Sequence, residues 1–222
     1  MTVELICFDM AGTTVNDHGL VLEAFRRTID ELGVIGEEAT KAEAYVIETM
    51  GQSKIEVFSA LFDERAQFAN EAFERHFVTA AGEVGVSEVP GARDAIETLK
   101  GRGISVALTT GFSPATREAL IDILGWSELV GLRVSPADAG RGRPAPDMVL
   151  LCALRARVSA VQTIMVVGDT ASDMQAGRRA GVGHCVGVLT GTDAQPRLVS
   201  SGADLVIDSV ADLVRLDVLM AE

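Results

Sequence analysis

The chain has 222 residues, 48% of them apolar and 23% charged, enough for one large folded domain or a core carrying a smaller insert. Its formal net charge of −13, spread along the chain without an acidic tail, disfavours nucleic acid and anionic membrane surfaces as partners. No apolar run approaches the roughly 20 residues of a membrane-spanning helix, and a strand pattern begins by Val3 with no basic leader, so the expectation is an unsecreted, cytoplasmic protein.

In chain order, apolar β-rich runs recur at 3–8, 104–108, 163–167, 185–189 and 205–207. Without polar alternation, they fit strands buried on both faces of a parallel sheet. Helical patterns lie between the later runs. The stretch 92–101 places Ala95, Ile96 and Leu99 on one side and is stopped by Gly101 and Gly103. Another opens at Pro114 after Ser113 and carries Ala119, Leu120 and Ile123. Stretches 148–156 and 173–180 complete an alternation that predicts an α/β fold with a Rossmann-like, doubly wound parallel core.

Residues 16–86 break that rhythm. Phe25, Ile29 and Leu32 recur at helical spacing, as do Tyr45, Ile47 and Glu48 more weakly, and Ala66, Phe73, Phe77 and Ala80 clearly. No strand pattern intervenes. The expectation is a helical cap of C1 type over 16–86, inserted into a core of 1–15 and 87–222. Val15-Asn16-Asp17 would be the outgoing hinge and 82–90 the return. The three cysteines, Cys7, Cys152 and Cys185, read as buried thiols rather than a disulfide or metal set. His76 and His184 read as incidental.

Asp9 ends the first apolar run, and a carboxylate there is costly to desolvate unless a charge meets it. Three further polar clusters fall at expected strand ends or before helices: Thr109-Thr110-Gly111, Gly140-Arg141-Gly142-Arg143-Pro144, and Gly168-Asp169-Thr170-Ala171-Ser172-Asp173. Ligands in open α/β sheets gather at the carboxyl ends of strands. Each cluster alone reads as a turn or an N-cap; together they form a coherent set. Asp9 and Asp169 can hold Mg²⁺, a hard cation that prefers oxygen ligands. The Thr110 hydroxyl and the Gly111 N–H can bind phosphoryl oxygens, and Arg143 supplies a permanent positive charge.

The stretch Phe8-Asp9-Met10-Ala11-Gly12-Thr13-Thr14-Val15, with the order of the other three clusters, resembles the four motifs of the haloacid dehalogenase-like hydrolases over nearly the whole chain. The resemblance implies that Asp9 is the nucleophile. It also implies that Mg²⁺ is held by Asp9, the Ala11 carbonyl and Asp169, with Asp173 as a direct ligand or just behind one. Phosphatases of that superfamily place a second aspartate where Ala11 stands, to protonate the departing alcohol.

Asp-Met-Ala-Gly-Thr-Thr-Val, with Met50-Gly51-Gln52-Ser53-Lys54, resembles more closely the phosphonatase (phosphonoacetaldehyde hydrolase) family, whose hallmarks are that alanine and a cap lysine. The chemistry accounts for both. Cleaving a carbon–phosphorus bond expels a carbanion; an imine formed by Lys54 with the neighbouring aldehyde accepts those electrons as an enamine. Only three of the 19 basic residues are lysines, so a match at Lys54 carries weight. A partly buried pocket should depress its pKa. Met50, Gly51, Gly111 and Phe112 are the expected substrate contacts.

The chain departs from that pattern in three places. Ile55-Glu56-Val57 lacks the family's histidine, Phe112 stands for a tyrosine, and Gly19 for a cysteine. Either Glu56 or His18 then moves protons, or the substrate is a related aldehyde or another phosphonate. Alternatives are a phosphatase or phosphomutase for small phosphate esters, which Ala11 disfavours, and a receiver-like regulatory module, which the length and the position of Asp9 disfavour. A dinucleotide-binding domain lacks its Gly-x-Gly-x-x-Gly. The expected partner is a small phosphonate or phosphate substrate, and the resemblance implies a homodimer.

Overall fold

The computed structural model describes residues 2–219. The chain opens with β1 (Leu5–Asp9) and a short β2 (Val15–Asn16), then runs through four helices, α1 (Leu20–Glu31), α2 (Gly36–Glu48), α3 (Lys54–Phe62) and α4 (Ala66–Val84), before β3 (Ser87–Glu88). From there helices and strands alternate: α5 (Ala92–Gly101), β4 (Ser105–Thr109), α6 (Pro114–Ile123), β5 (Leu132–Val134), α7 (Pro136–Ala139), α8 (Asp147–Ala156), β6 (Ile164–Gly168), α9 (Ala171–Ala180), β7 (His184–Val188), α10 (Gln195–Ser200) and β8 (Leu205–Ile207).

Six strands form one parallel sheet in the order β5-β4-β1-β6-β7-β8. Every residue of β1 is buried, as its unbroken apolar run requires of a central strand. Its side chains alternate between two cores. Ile6 and Phe8 join Ile96, Leu99 and the helices of 20–84, whereas Leu5 and Cys7 face Met148, Cys152, Met174 and Cys185. All three cysteines are buried free thiols. Strand order reverses on either side of β1, so the crevice between the ends of β1 and β6 is the place where such sheets bind ligands.

Helices α1–α4 lie between β2 and β3, which pair antiparallel as a narrow two-stranded neck (Val15 opposite Glu88, Asn16 opposite Ser87). Aromatic rings hold this insert together. Phe58 lies 5.8 Å from Phe25 and 5.7 Å from Phe73, and Phe112, from the loop after β4, inserts 4.6 Å from Phe77. Ring pairs of this kind contribute about 0.5–1.5 kcal/mol each beyond their burial. Glu74 of α4 also reaches the sheet domain: its carboxylate accepts from the Ser113 N–H (2.9 Å), the Ser113 hydroxyl and the Thr116 hydroxyl (2.6 Å) at the start of α6.

Several expected boundaries shift. β1 and β4 end on Asp9 and Thr109, the polar residues expected at those strand ends, but begin later than the apolar runs, at Leu5 and Ser105, where the parallel ladder starts. In α2 the buried face is Ala42 and Val46, whereas Ile47 is 45% exposed; this polar helix contributes little to the core, which is why its pattern was weak. α4 continues to Val84, so the return connection begins at Gly85 rather than 82. The edge strand β5 had no sequence signal, being three residues long with Arg133 at its centre, paired to Glu118.

Candidate active site

The turn after β1 builds the site from the backbone outward. The N–H groups of Thr13, Thr14 and Val15 all donate to the Met10 carbonyl (2.8–3.2 Å), and the Thr14 hydroxyl donates to the Asp9 carbonyl (2.9 Å). This tight loop holds Asp9 at the strand end and aims Thr13 across the crevice, where its hydroxyl donates to Asp169 (3.1 Å). Asp169, just beyond β6, also accepts from the Thr192 N–H (2.8 Å) of the loop after β7. Asp173 completes the capping box that Thr170 opens at the start of α9: its carboxylate accepts from the Thr170 N–H (3.1 Å) and hydroxyl (2.5 Å).

Arg143 enters this group from the loop before α8. Its Nη1 lies 2.6 Å from Asp9 and also engages Asp173, while Nε and Nη2 are buried with no acceptor. Burial works against the guanidinium charge, but Asp173 and Asp9 outweigh it and hold the proton more firmly than usual. Asp9, Asp169 and Asp173 are all buried and present carboxylate oxygens within 4.8 Å of one another. Three carboxylates against one guanidinium leave an excess of negative charge. Burial, with the repulsion of Asp173, pushes Asp9 up to about 7 even though Arg143 opposes it. Burial and then its two acidic neighbours push Asp169 well above the usual carboxylate range. A hard-oxygen donor set with unbalanced charge fits a divalent cation such as Mg²⁺.

Facing this group is a cavity of about 460 Å³ at the carboxyl ends of the strands. Asp9, Ala11, Met50, Gly51, Lys54, Thr110, Gly111, Phe112 and Arg143 all border it, whereas Asp169 and Asp173 sit behind that surface in the carboxylate cluster. A larger, open cleft of about 740 Å³ lies at the opposite ends of β1 and β4, beside Glu4, Arg102 and Ser105. Among the described residues it has no carboxylate cluster, and by topology it is on the wrong side of the sheet for ligand binding.

Lys54 is the first residue of α3 and is buried. Its backbone N–H, one of the donors a helix start leaves unpaired, donates to the Gly111 carbonyl (3.2 Å). Its Nζ lies 5.8 Å from the Phe112 ring and 6.0 Å from Phe73, with no hydrogen bond or ion pair among the described residues. Burial, helped by Arg143, lowers its pKa to about 8 against the pull of Asp9, Asp17 and Asp169. Two glycines permit the close approach of insert and sheet domain. Gly51 has a φ of +82°, and a Cβ there would overlap the Thr170 hydroxyl; one on Gly111 would overlap the Gln52 carbonyl.

Neither residue expected to replace the family's histidine borders the cavity. Glu56 accepts from the Gly142 N–H (3.3 Å), and His18 meets the Ser87 hydroxyl (3.2 Å) at the neck. Sequence reasoning missed two contributors. Thr190-Gly191-Thr192 borders the cavity and anchors Asp169; its place just after a core strand was the available signal. Asp17 borders the cavity too, although in the sequence it stands only as part of the outgoing hinge.

Comparison with known proteins agrees with this geometry. The family model for haloacid dehalogenase-like hydrolases matches residues 3–181. The chain is 33% identical over 219 residues to a phosphonoacetaldehyde hydrolase of Bacillus cereus (strain AH187), covering 86% of this chain and 78% of the relative. A phosphonoacetaldehyde hydrolase of Bacillus anthracis is 32% identical with the same coverage. Among solved structures, a hydrolase from Pseudomonas syringae superimposes with a TM-score of 0.84 at 22% identity, covering 97% of each chain. A phosphonoacetaldehyde hydrolase-like protein from Oleispira antarctica gives 0.83 at 24% identity, covering 100% of this chain and 96% of that one.

Proposed function

The chain belongs to the haloacid dehalogenase-like hydrolases, in their phosphonatase-like family, and on that premise we propose that it is a Mg²⁺-dependent hydrolase cleaving the carbon–phosphorus bond of phosphonoacetaldehyde or a close relative. The observation that carries this reading is a buried amine, Lys54, bordering the same cavity as the strand-end carboxylate Asp9, with the methyl of Ala11 where a proton-donating acid would stand.

In the proposed mechanism the Lys54 ammonium gives up one proton to free its lone pair, condenses with the substrate aldehyde and, with that proton returned to the departing oxygen, leaves a protonated imine and water. Asp9 attacks phosphorus. The carbon–phosphorus electron pair moves into the imine to give an enamine, and phosphorus passes to Asp9 as an aspartyl phosphate. Water hydrolyses the aspartyl phosphate, and protonation then hydrolysis of the enamine frees the aldehyde product and Lys54. The two unpaired donors of Arg143, with the Thr110 hydroxyl and the Gly111 N–H, are suited to the phosphoryl oxygens. Met50, Gly51 and Phe112 shape the space for the carbon chain. Asp9, Asp169, Asp173 and the Ala11 carbonyl would hold Mg²⁺, which when bound screens the repulsion between Asp9 and the incoming phosphoryl group.

The insert 16–86 acts as a cap that brings Lys54 to the core formed by 1–15 and 87–222. A cytoplasmic address, expected from the N-terminal pattern, and a homodimer, implied by the family resemblance, complete the reading; no helix among the described residues is long and apolar enough to cross a membrane. The test is phosphate release from phosphonoacetaldehyde with Mg²⁺, with borohydride added in parallel to trap Lys54 as a stable amine. Turnover of phosphate esters alone, without labelling, would replace this reading with a phosphatase or phosphomutase.

A further inference from the structure

Imine formation needs more than an amine. A proton must leave nitrogen, and the carbonyl oxygen must depart as water, so an acid–base group has to serve both atoms. Among the described residues, four side chains that carry charge at neutral pH border the cavity: Asp9, Asp17, Lys54 and Arg143. Asp9 is held by Arg143 (2.6 Å) and is committed to phosphorus, and a guanidinium does not give up its proton. All three histidines are elsewhere. His18 meets Ser87 (3.2 Å), His76 pairs with Glu31 (2.7 Å), and His184 begins β7 away from the cavity.

Asp17 is left, and it is a fixed group rather than a loose surface acid. It follows β2 directly, and its Oδ2 accepts from the Val21 N–H (3.1 Å) in the first turn of α1 while Oδ1 approaches the Gly19 N–H (3.5 Å). Each bond occupies one lone pair, so each oxygen retains accepting capacity. Asp17 makes no hydrogen bond or ion pair with Lys54, yet it is near enough for its charge to act on the amine. Both side chains border the cavity that a carbonyl must enter to reach Lys54.

Resting on the imine chemistry proposed above, we infer that Asp17 is the acid–base residue that carries protons during formation and release of the Lys54 imine, the role vacated by the family's missing histidine. The Asp17 carboxylate takes a proton from the Lys54 ammonium, freeing the amine lone pair. The amine nitrogen bonds to the carbonyl carbon, and the carbonyl π pair moves to oxygen. Asp17 delivers its proton to that oxygen and takes one from the new ammonium, giving a neutral carbinolamine. It then protonates the hydroxyl, which leaves as water while the nitrogen lone pair forms the double bond. Lysine ammonium plus aldehyde thus becomes protonated imine plus water, and Asp17 ends as the carboxylate it began. Release runs the same steps backwards.

The test compares borohydride trapping of Lys54 in wild type and Asp17→Asn after rapid mixing with phosphonoacetaldehyde. Asparagine keeps an acceptor for the Val21 N–H but cannot exchange protons. Trapping in the variant should slow by about 100-fold, with added imidazole or formate restoring part of the rate and Asp17→Glu restoring more. Trapping at the wild-type rate overturns the assignment. A loss that no small acid restores overturns it as well, because it would mean that Asp17 only positions the start of α1. If wild type itself is never labelled, the imine reading fails, an outcome distinct from a labelled wild type matched by an equally labelled variant.

Discussion

The backbone N–H of Lys54 donates to the Gly111 carbonyl across 3.2 Å, tying the residue that carries the amine to the loop expected to hold the phosphoryl group. One contact therefore sets the separation of the two reacting ends of the substrate. A Cβ on Gly111 would overlap the Gln52 carbonyl, two residues before Lys54. Gly111→Ala should accordingly displace α3 and lower kcat for phosphate release by about 10²-fold, since small misplacements of reacting groups have large kinetic effects. Stopped-flow and steady-state assays check this; an unchanged kcat would show that the contact does not govern catalysis.

Lys54→Met removes the amine and keeps its apolar stem. Borohydride labelling should vanish and phosphate release should fall by at least about 10³-fold. The variant should be no less stable than wild type below about pH 8, because burial makes the ammonium form of Lys54 unfavourable in the folded state. Intact-mass measurement and thermal melts read both effects.

The pH dependence follows from that lowered pKa of about 8. Attack on the carbonyl needs the neutral amine, whose fraction rises with pH through that value. Loss of water consumes the proton that the ammonium brings, so the imine-forming rate should pass through a maximum near pH 8. The linkage with folding runs in one direction. The unfolded lysine binds its proton more tightly than the folded one, so folding stability gains from this group as pH rises above about 8 and loses nothing further below it. A rate that does not change through pH 8 would contradict the assignment of Lys54.

Binding of Mg²⁺ should stabilise the fold. Asp9 and Asp173 share one guanidinium with Asp169 clustered beside them, and without a cation Asp9 is held at about 7. Mg²⁺ at about 100 times its Kd adds about 2.7 kcal/mol, which in a protein of this size raises Tm by about 5–10 °C. It should also move the ionisation of Asp9 to lower pH, extending activity on the acid side. Scanning calorimetry with Mg²⁺ or EDTA decides it, and Asp169→Asn should reduce the Tm increment.

Ala11→Asp would place an acid beside the nucleophile. Hydrolysis of an alkyl phosphate should rise by about 10–100-fold as a leaving-group proton becomes available, while cleavage of the phosphonate falls. Parallel assays on glycerol phosphate and phosphonoacetaldehyde separate the two effects.

The core strands and the carboxylate cluster were readable because unbroken apolar runs ended on polar residues, and a parallel sheet gathers such ends on one side. Asp9, Thr110 and Asp169 were found by that route. Lys54 was found by resemblance, since nothing in its own helix distinguishes it from a solvated lysine. Its burial depends on Phe112 and Phe73, brought together from segments 39 residues apart only when the insert packs on the sheet domain. Asp17 escaped notice for a related reason. A short Asn-Asp-His run reads as a connector, and its standing on the cavity wall arises from the β2–β3 neck, whose two-residue strands carry no pattern.

Glu74 ends up supplying acceptors to a helix in the other half of the molecule, taking the Ser113 N–H and the Ser113 and Thr116 hydroxyls at the head of α6. If the insert swings away to admit substrate, those donors lose their carboxylate at the same moment. Opening and the loosening of α6's first turn then become a single event, and amide exchange at Ser113 would report how often the door stands ajar.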